Sequence, residues 1–248
     1  MKKSLLFVAI ACLSFGSLFA QNTFKGTVTY SVTSTGETAF SVPDQIATAE
    51  IKVYDQKVFT SSKLFTNQLT DNILVDGRKT YSCMDLSQIF MYLSANDVEL
   101  DYKGSSKILM KSELTQSEID SLTIPCTEGF YIEYVAGETK TIAGKTAKKA
   151  VFHVFNDEGE DHPVTFWYND EMGPEINPIF NGIKGIALEY AMDLGEGRQI
   201  TLTATEIKSG KVKEVDMLLP SGYEELSQEQ FSALFKQINE ELEYLNEE

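Results

Sequence analysis

Apolar and polar residues alternate along most of this chain. Phe24, Gly26, Val28, Tyr30 and Val32 take turns with Lys25, Thr27, Thr29, Ser31 and Thr33. That is the period of a strand with one buried face and one wet, threonine-rich face. Ile51 and Val53 continue the style to Tyr54. Leu69 to Val75 runs into Asp76-Gly77, a hairpin signal, and Lys79 to Cys83 returns. Ile89 to Leu93 reads as a short apolar strand. Gly129 to Val135 follows, then Ala150 to Phe155, which pairs with Val164 to Tyr168 across the loop from Asn156 to Pro163. Ile186, Leu188, Tyr190 and Met192 alternate with Ala187, Glu189, Ala191 and Asp193. Gly195-Glu196-Gly197 turns that strand into Ile200 to Thr205. Roughly ten strands at hairpin spacing predict a meandering antiparallel sheet.

Two segments carry the helical period instead. Thr115-Gln116-Ser117-Glu118 is a capping box that opens a short helix to about Leu122. Ser227 to Gln230 opens a longer one, in which Phe231, Leu234, Phe235, Ile238, Leu242 and Leu245 recur at helical spacing. Its apolar stripe is expected to cap the sheet. Helices that flank a run of strands, without alternating with them, exclude a doubly wound α/β fold.

The ends of the chain change the picture. Met1-Lys2-Lys3 precedes an apolar run from Ser4 to Leu18, and Gln21-Asn22 begins polar sequence. This reads as a signal peptide cleaved between Ala20 and Gln21. The run is shorter than the ~20 residues that cross a bilayer. Cys12 lies within it and is discarded with it. The expected organisation is a cleaved peptide over 1–20, an antiparallel β domain over 21–226, and a C-terminal helix over 227–248 on the same domain. No later segment approaches membrane-spanning length, so the mature chain is expected to have no transmembrane span.

Net charge then narrows the partners. The whole chain carries −16, and residues 1–20 hold two basic groups and no acid, so the mature chain carries 19 − 37 = −18. Phosphate binding needs clustered Lys and Arg, so nucleic acid is excluded as a partner. Much of the charge falls on the last helix: from Glu224 to Glu248 there are eight acids and one lysine. Cys83 and Cys126 are the cysteines left after cleavage. An even pair in an oxidising compartment points to a disulfide, and the alternative is two buried thiols.

Candidate chemistry is sparse. His153 and His162 are the two histidines, with no His-Glu-x-x-His and no Gly-x-Ser-x-Gly beside them. Gly144-Lys145-Thr146 resembles the end of a phosphate loop, but Thr139 stands where that motif needs its first glycine, so a turn between strands is the better reading. Asp157, Glu158, Glu160 and Asp161 match no calcium-loop spacing and read as a solvated hairpin tip. Nothing selects a carboxylate pair for glycoside hydrolysis, and a single Trp offers little stacking platform. No enzyme, metal or cofactor is expected. Six methionines beyond Met1, with many Phe and Tyr, could line an apolar cavity under a curved sheet or fill its core.

Several stretches taken in order carry a resemblance. They are Thr141-Ile142-Ala143-Gly144-Lys145, Val164 to Tyr168, Pro178 to Tyr190, Thr201 to Ile207 and Leu219-Pro220-Ser221-Gly222-Tyr223, together with the opening Phe24-x-Gly26-x-Val28-x-Tyr30. With these the chain resembles the domain-of-unknown-function 4412 family of exported Gram-negative proteins, densely over about 141–226. The resemblance implies a lipoprotein-carrier (LolA/LolB-like) architecture: a curved antiparallel sheet or half-barrel with helices in its concave side. It brings no catalytic residues. It implies a periplasmic, outer-membrane-associated or secreted protein that carries a lipid or other apolar ligand. The candidate lining is Phe180, Ile183, Tyr190 and Met192. The alternative is a structural module of the cell envelope that binds another envelope protein and has no pocket.

Overall fold

A computed structural model describes residues 24–35, 48–64, 69–156, 158–195 and 198–247. The segment read as a signal peptide, with its Ala20–Gln21 junction, lies outside the described residues, as does the side chain of Met192.

Among the described residues, twelve strands form one sheet. In chain order they are β1 (Lys25–Thr35), β2 (Thr48–Tyr54), β3 (Lys57–Leu64), β4 (Leu69–Asp76), β5 (Lys79–Asp85), β6 (Lys107–Glu113), β7 (Phe130–Ile142), β8 (Lys145–Val154), β9 (Val164–Asn169), β10 (Ile186–Gly195), β11 (Arg198–Ser209) and β12 (Glu224–Glu225). Three helices accompany them: α1 (Ser87–Ala95), α2 (Gln116–Ser121) and α3 (Gln228–Glu247). The spatial order is β12-β6-β5-β4-β3-β2-β1-β11-β10-β9-β8-β7. Every pairing is antiparallel except the two-residue edge β12, which runs parallel to β6. Asp76-Gly77 makes its hairpin between β4 and β5, and Ala143-Gly144 is a turn between β7 and β8, not a phosphate loop.

The connection from β6 to β7 forces the sheet to curl. These strands stand second and twelfth in the order, ten steps apart. In a flat sheet, ten steps of ~4.8 Å would separate them by ~48 Å. Yet the carbonyl of Leu122 accepts a 2.6 Å hydrogen bond from the N–H of Ile132 on β7. The nine chain steps from Glu113 to Leu122 include the six residues of α2. They reach only ~20 Å, at ~1.5 Å per helical and ~3.4 Å per extended residue. With ~5 Å added for the hydrogen-bonded step to Ile132, the two ends of the sheet are drawn to about half their flat separation, and α2 straps the open side.

Two apolar clusters fill the inner face. The larger gathers Val28 and Tyr30 of β1, Phe166 and Tyr168 of β9, and Leu202 of β11, with Met172, Phe180 and Ile183 from the segment between β9 and β10. That segment plugs the curl. Its anchor is Asn177, fully buried, which accepts from the N–H of Ile179 and donates to the carbonyl of Gly185 at 2.8 Å. Gly185 is required there, because a Cβ would lie 2.1 Å from the carbonyl oxygen of Asn169. The smaller cluster joins Leu86 and Leu93 of the α1 region, Ile108 of β6, and Leu234 and Ile238 of α3.

The expected antiparallel sheet is present with a longer strand list, and two other sequence expectations need correction. Ile89 to Leu93 belongs to α1, not to a strand. Five apolar residues alone do not distinguish the two periods. The helix is selected by Asp85, whose Oδ1 accepts from the N–H and hydroxyl of Ser87, and by Leu86 and Leu93 turning to one side. With Ile89 to Leu93 removed, β3, β6 and the two-residue β12 bring the count to twelve; the Lys and Ser residues of β3 and β6 had hidden their alternation. Cys83 and Cys126 are both free thiols, so the expected bridge is absent. Cys83 is sealed inside β5 between Asn72 and Leu109, whereas Cys126 lies in the connector after α2.

Candidate functional site

Strand alternation sends one aromatic row into the curl. Cross-strand register places Phe166 opposite Tyr190, and Tyr190 opposite Leu202. The rings of Phe166 and Tyr190 stack at 5.5 Å with a 4° interplanar angle. Phe180 meets Tyr190 edge-on at 5.2 Å, and Tyr30 does so at 6.5 Å. Tyr30 donates its hydroxyl to the carbonyl of Ala187 at 2.7 Å, which satisfies the one polar atom it buries. Burial pushes the Tyr30 and Tyr190 hydroxyls far above their ordinary range. Tyr134 is raised to about 12 by burial, against a hydrogen bond from the N–H of Lys184. All three stay neutral, so this aromatic row carries no charge of its own.

Three of the four residues singled out in the sequence thus meet at one place. Phe180 is 1% exposed and Ile183 fully buried, and both pack against the same cluster as Tyr190. They fill the curl. The backbone of Met192 continues β10 beyond them, opposite Ile200.

The row does not stop in the core. Phe166 meets Phe152 at 6.3 Å, and Phe152 meets Phe130 at 4.9 Å. Phe130 opens β7 and is 46% exposed. Beside it, under the strap, is a cleft of about 250 Å³ lined by Leu114, Glu118, Ser121, Leu122, Gly129 and Phe130. Ile124, just beyond, is 59% exposed. The strap is held lightly. None of the six residues of α2 is buried, and Leu122 is the side chain that docks, against Gly182. Polar ties complete it: Arg78 donates to Gln116 at 2.7 Å, and Thr115 and Glu118 cap each other. The N–H and hydroxyl of Thr115 hold the Glu118 carboxyl below its ordinary range, so the rim is anionic. Sequence reading passed over Leu114, Leu122 and Phe130. Their signal was the capping box, which marked the strap but not what it covers. A wider, shallower cleft lies along α1 at Phe90, Met91 and Gly104, where Met91 is 64% exposed.

The histidines stand elsewhere. His153 is on the outer face of β8, its Nδ1 2.7 Å from Asp161 and its Nε2 3.3 Å from Glu133, with its ring stacked on Tyr131 at 4.5 Å. His162 contacts Asn156, whose side-chain oxygen also accepts from the N–H groups of Glu158 and Glu160 and so shapes the acidic loop. Among the described residues, no group of three or more His, Cys, Asp or Glu is placed to hold a metal ion, and no helix is long and apolar enough to cross a membrane.

Comparison with known proteins adds little. No family model matches the chain, so the resemblance to the domain-of-unknown-function 4412 family gains no support there. No curated protein matches it. Among solved structures, a LolA superfamily protein from Nitrosomonas europaea is similar over 79% of this chain and 91% of its own, at 10% identity and a TM-score of 0.29. A superposition that loose carries no argument. The mainly β architecture rests on the sheet itself: one large, open, curved antiparallel sheet with few helices and a C-terminal one.

Proposed function

We propose that this chain is an exported, non-enzymatic envelope protein that takes an acyl chain or similar apolar ligand beneath α2. The observation that supports this most is the aromatic row running from half-exposed Phe130 through Phe152 and Phe166 to Tyr190, under a strap docked by one buried side chain. Leu114, Leu122 and Phe130 offer a ligand apolar contact, which suits hydrocarbon, and Glu118 and Ser121 form the polar edge of the same cleft. Covering exposed apolar surface contributes ~25 cal/mol per Å², so the uncovered Ile124 and Phe130 are a reason for the site to fill. The cleft is slightly smaller than the ~300–1,000 Å³ of typical ligand sites, and lifting a lightly held strap enlarges it. Export rests on the positive start and apolar run of the first twenty residues.

A second reading, an envelope interaction module without a pocket, draws on the complete burial of Phe180 and Ile183. Titration with a fluorescent fatty acid separates the two. Saturable binding that is lost in Phe130→Asp supports carriage. Absence of binding, or equal binding by the variant, supports the module.

A further inference from the structure

The opposite, outer face of the sheet carries a different kind of cleft, of about 370 Å³, whose lining includes Thr165, Trp167, Glu189, Ala191, Gln199 and Thr201. Alternation puts these residues there. Phe166 and Tyr168 point into the core, so Thr165 and Trp167 between and beside them point out. Tyr190 and Leu202 are inner-face partners, so Glu189, Ala191 and Thr201 face outward with Trp167. The shape follows from side-chain size. Trp167 is a tall wall, and Thr165, Ala191 and Thr201 are short neighbours that leave a depression at its foot.

The wall is held in place and its charges cancel. The ammonium of Lys140 sits 4.4 Å from the centroid of the Trp167 ring and 2.6 Å from Oε1 of Glu189. A cation over one ring fixes its orientation. Pairing with Glu189 balances the charge of both groups. The rest of the lining is an aromatic ring, two hydroxyls and an amide, with Pro163, Val164, Tyr190 and Ala191 beside them.

That combination selects a ligand. A hydrocarbon would bury Thr165, Thr201 and Gln199 without partners, at a cost of ~1–3 kcal/mol for each unsatisfied group. A phosphate or carboxylate ligand would meet lysines already paired, Lys140 with Glu189 and Lys149 with Glu138, on a chain of charge −16. A ligand with an apolar face for the ring and a rim of neutral hydroxyls meets neither objection. We propose that this outer cleft binds a neutral saccharide stacked on Trp167. It is separate from the acyl site beneath α2 and does not depend on it.

The protein contains a single tryptophan, so its emission reports on this cleft alone. Cello-, manno-, chito- and malto-hexaose are titrated to ~10 mM, enough to detect a Kd near 1 mM. A saturable change in emission is expected with at least one of them. By calorimetry, affinity for that sugar should fall at least ~10-fold in Trp167→Ala and measurably in Gln199→Ala, a surface change that leaves the fold intact. Fatty-acid binding should be unchanged in Gln199→Ala. The proposal is overturned if no hexaose gives a saturable change, or if Trp167→Ala and Gln199→Ala both bind with the parent affinity.

Discussion

The apolar docking of the strap rests on Leu122, which packs against Gly182, and a substitution can test it. Gly182 has φ of +87°, and a Cβ there would lie 2.6 Å from Cδ1 of Leu122. Two costs follow for Gly182→Ala. A residue with a side chain held in the left-handed region loses ~1–2 kcal/mol. The clash falls on the end of a flexible side chain, so Leu122 yields by leaving its rotamer, at ~0.5–1.5 kcal/mol. The sum is ~1.5–3.5 kcal/mol. The first cost belongs to the backbone and persists whatever occupies position 122. The second disappears once Cδ1 is gone. Gly182→Ala should therefore cost less in a Leu122→Ala background, by ~0.5–1.5 kcal/mol, within the usual range of coupling between touching residues. Urea unfolding followed by the fluorescence of Trp167 gives all four stabilities. If Gly182→Ala costs the same in both backgrounds, Leu122 does not rest on Gly182 and the strap is placed wrongly.

Two other outcomes follow from the geometry. Burial disfavours the charged form of His153, but its hydrogen bonds to Asp161 and Glu133 outweigh that and raise its pKa above the ordinary value. A raised folded pKa gives stability that is fully present below the unfolded value of ~6.5 and lost as pH rises through the folded one, so His153→Gln should cost most near pH ~5.5 and progressively less above pH ~7. Urea melts across that range check the sign, and a cost that grows with pH contradicts it. In a chain lacking residues 1–20, and with them Cys12, a thiol reagent should find two free thiols after denaturation. In the folded state Cys126 should react first and Cys83, buried and with its thiol pKa raised by that burial, should resist. A reductant-sensitive melting temperature would contradict free thiols.

Strands with a clean two-residue period were legible in the sequence, because a half-buried sheet writes its burial directly into alternation. β1, β10 and β11 show this well. The helical stripe of α3 was legible for the same reason. α1 was not, since Ile89 to Leu93 is too short to show a period and the Asp85 contact that starts the helix is invisible in composition. The curl was also hidden. It comes from the short reach of the β6–β7 connector across ten strand positions, which needs the strand order first. At the candidate site, the segment carrying Phe180 and Ile183 was marked by the resemblance, but Leu114, Leu122 and Phe130 come from separate elements that only the curl brings together. Trp167 was set aside as too little for a platform; its neighbours on β10 and β11, not further aromatics, build the outer cleft. The cysteine count suggested a bridge because parity says nothing about which strands bear the thiols.

The most direct test of the account is to ask what the folded protein holds. The chain is purified from an exporting host without detergent and examined by native mass spectrometry, and its organic extract is analysed for lipids. Carriage beneath α2 predicts a bound acyl species at up to one per chain, released on denaturation and absent from Phe130→Asp. A protein that is ligand-free as purified and binds no added fatty acid would contradict it.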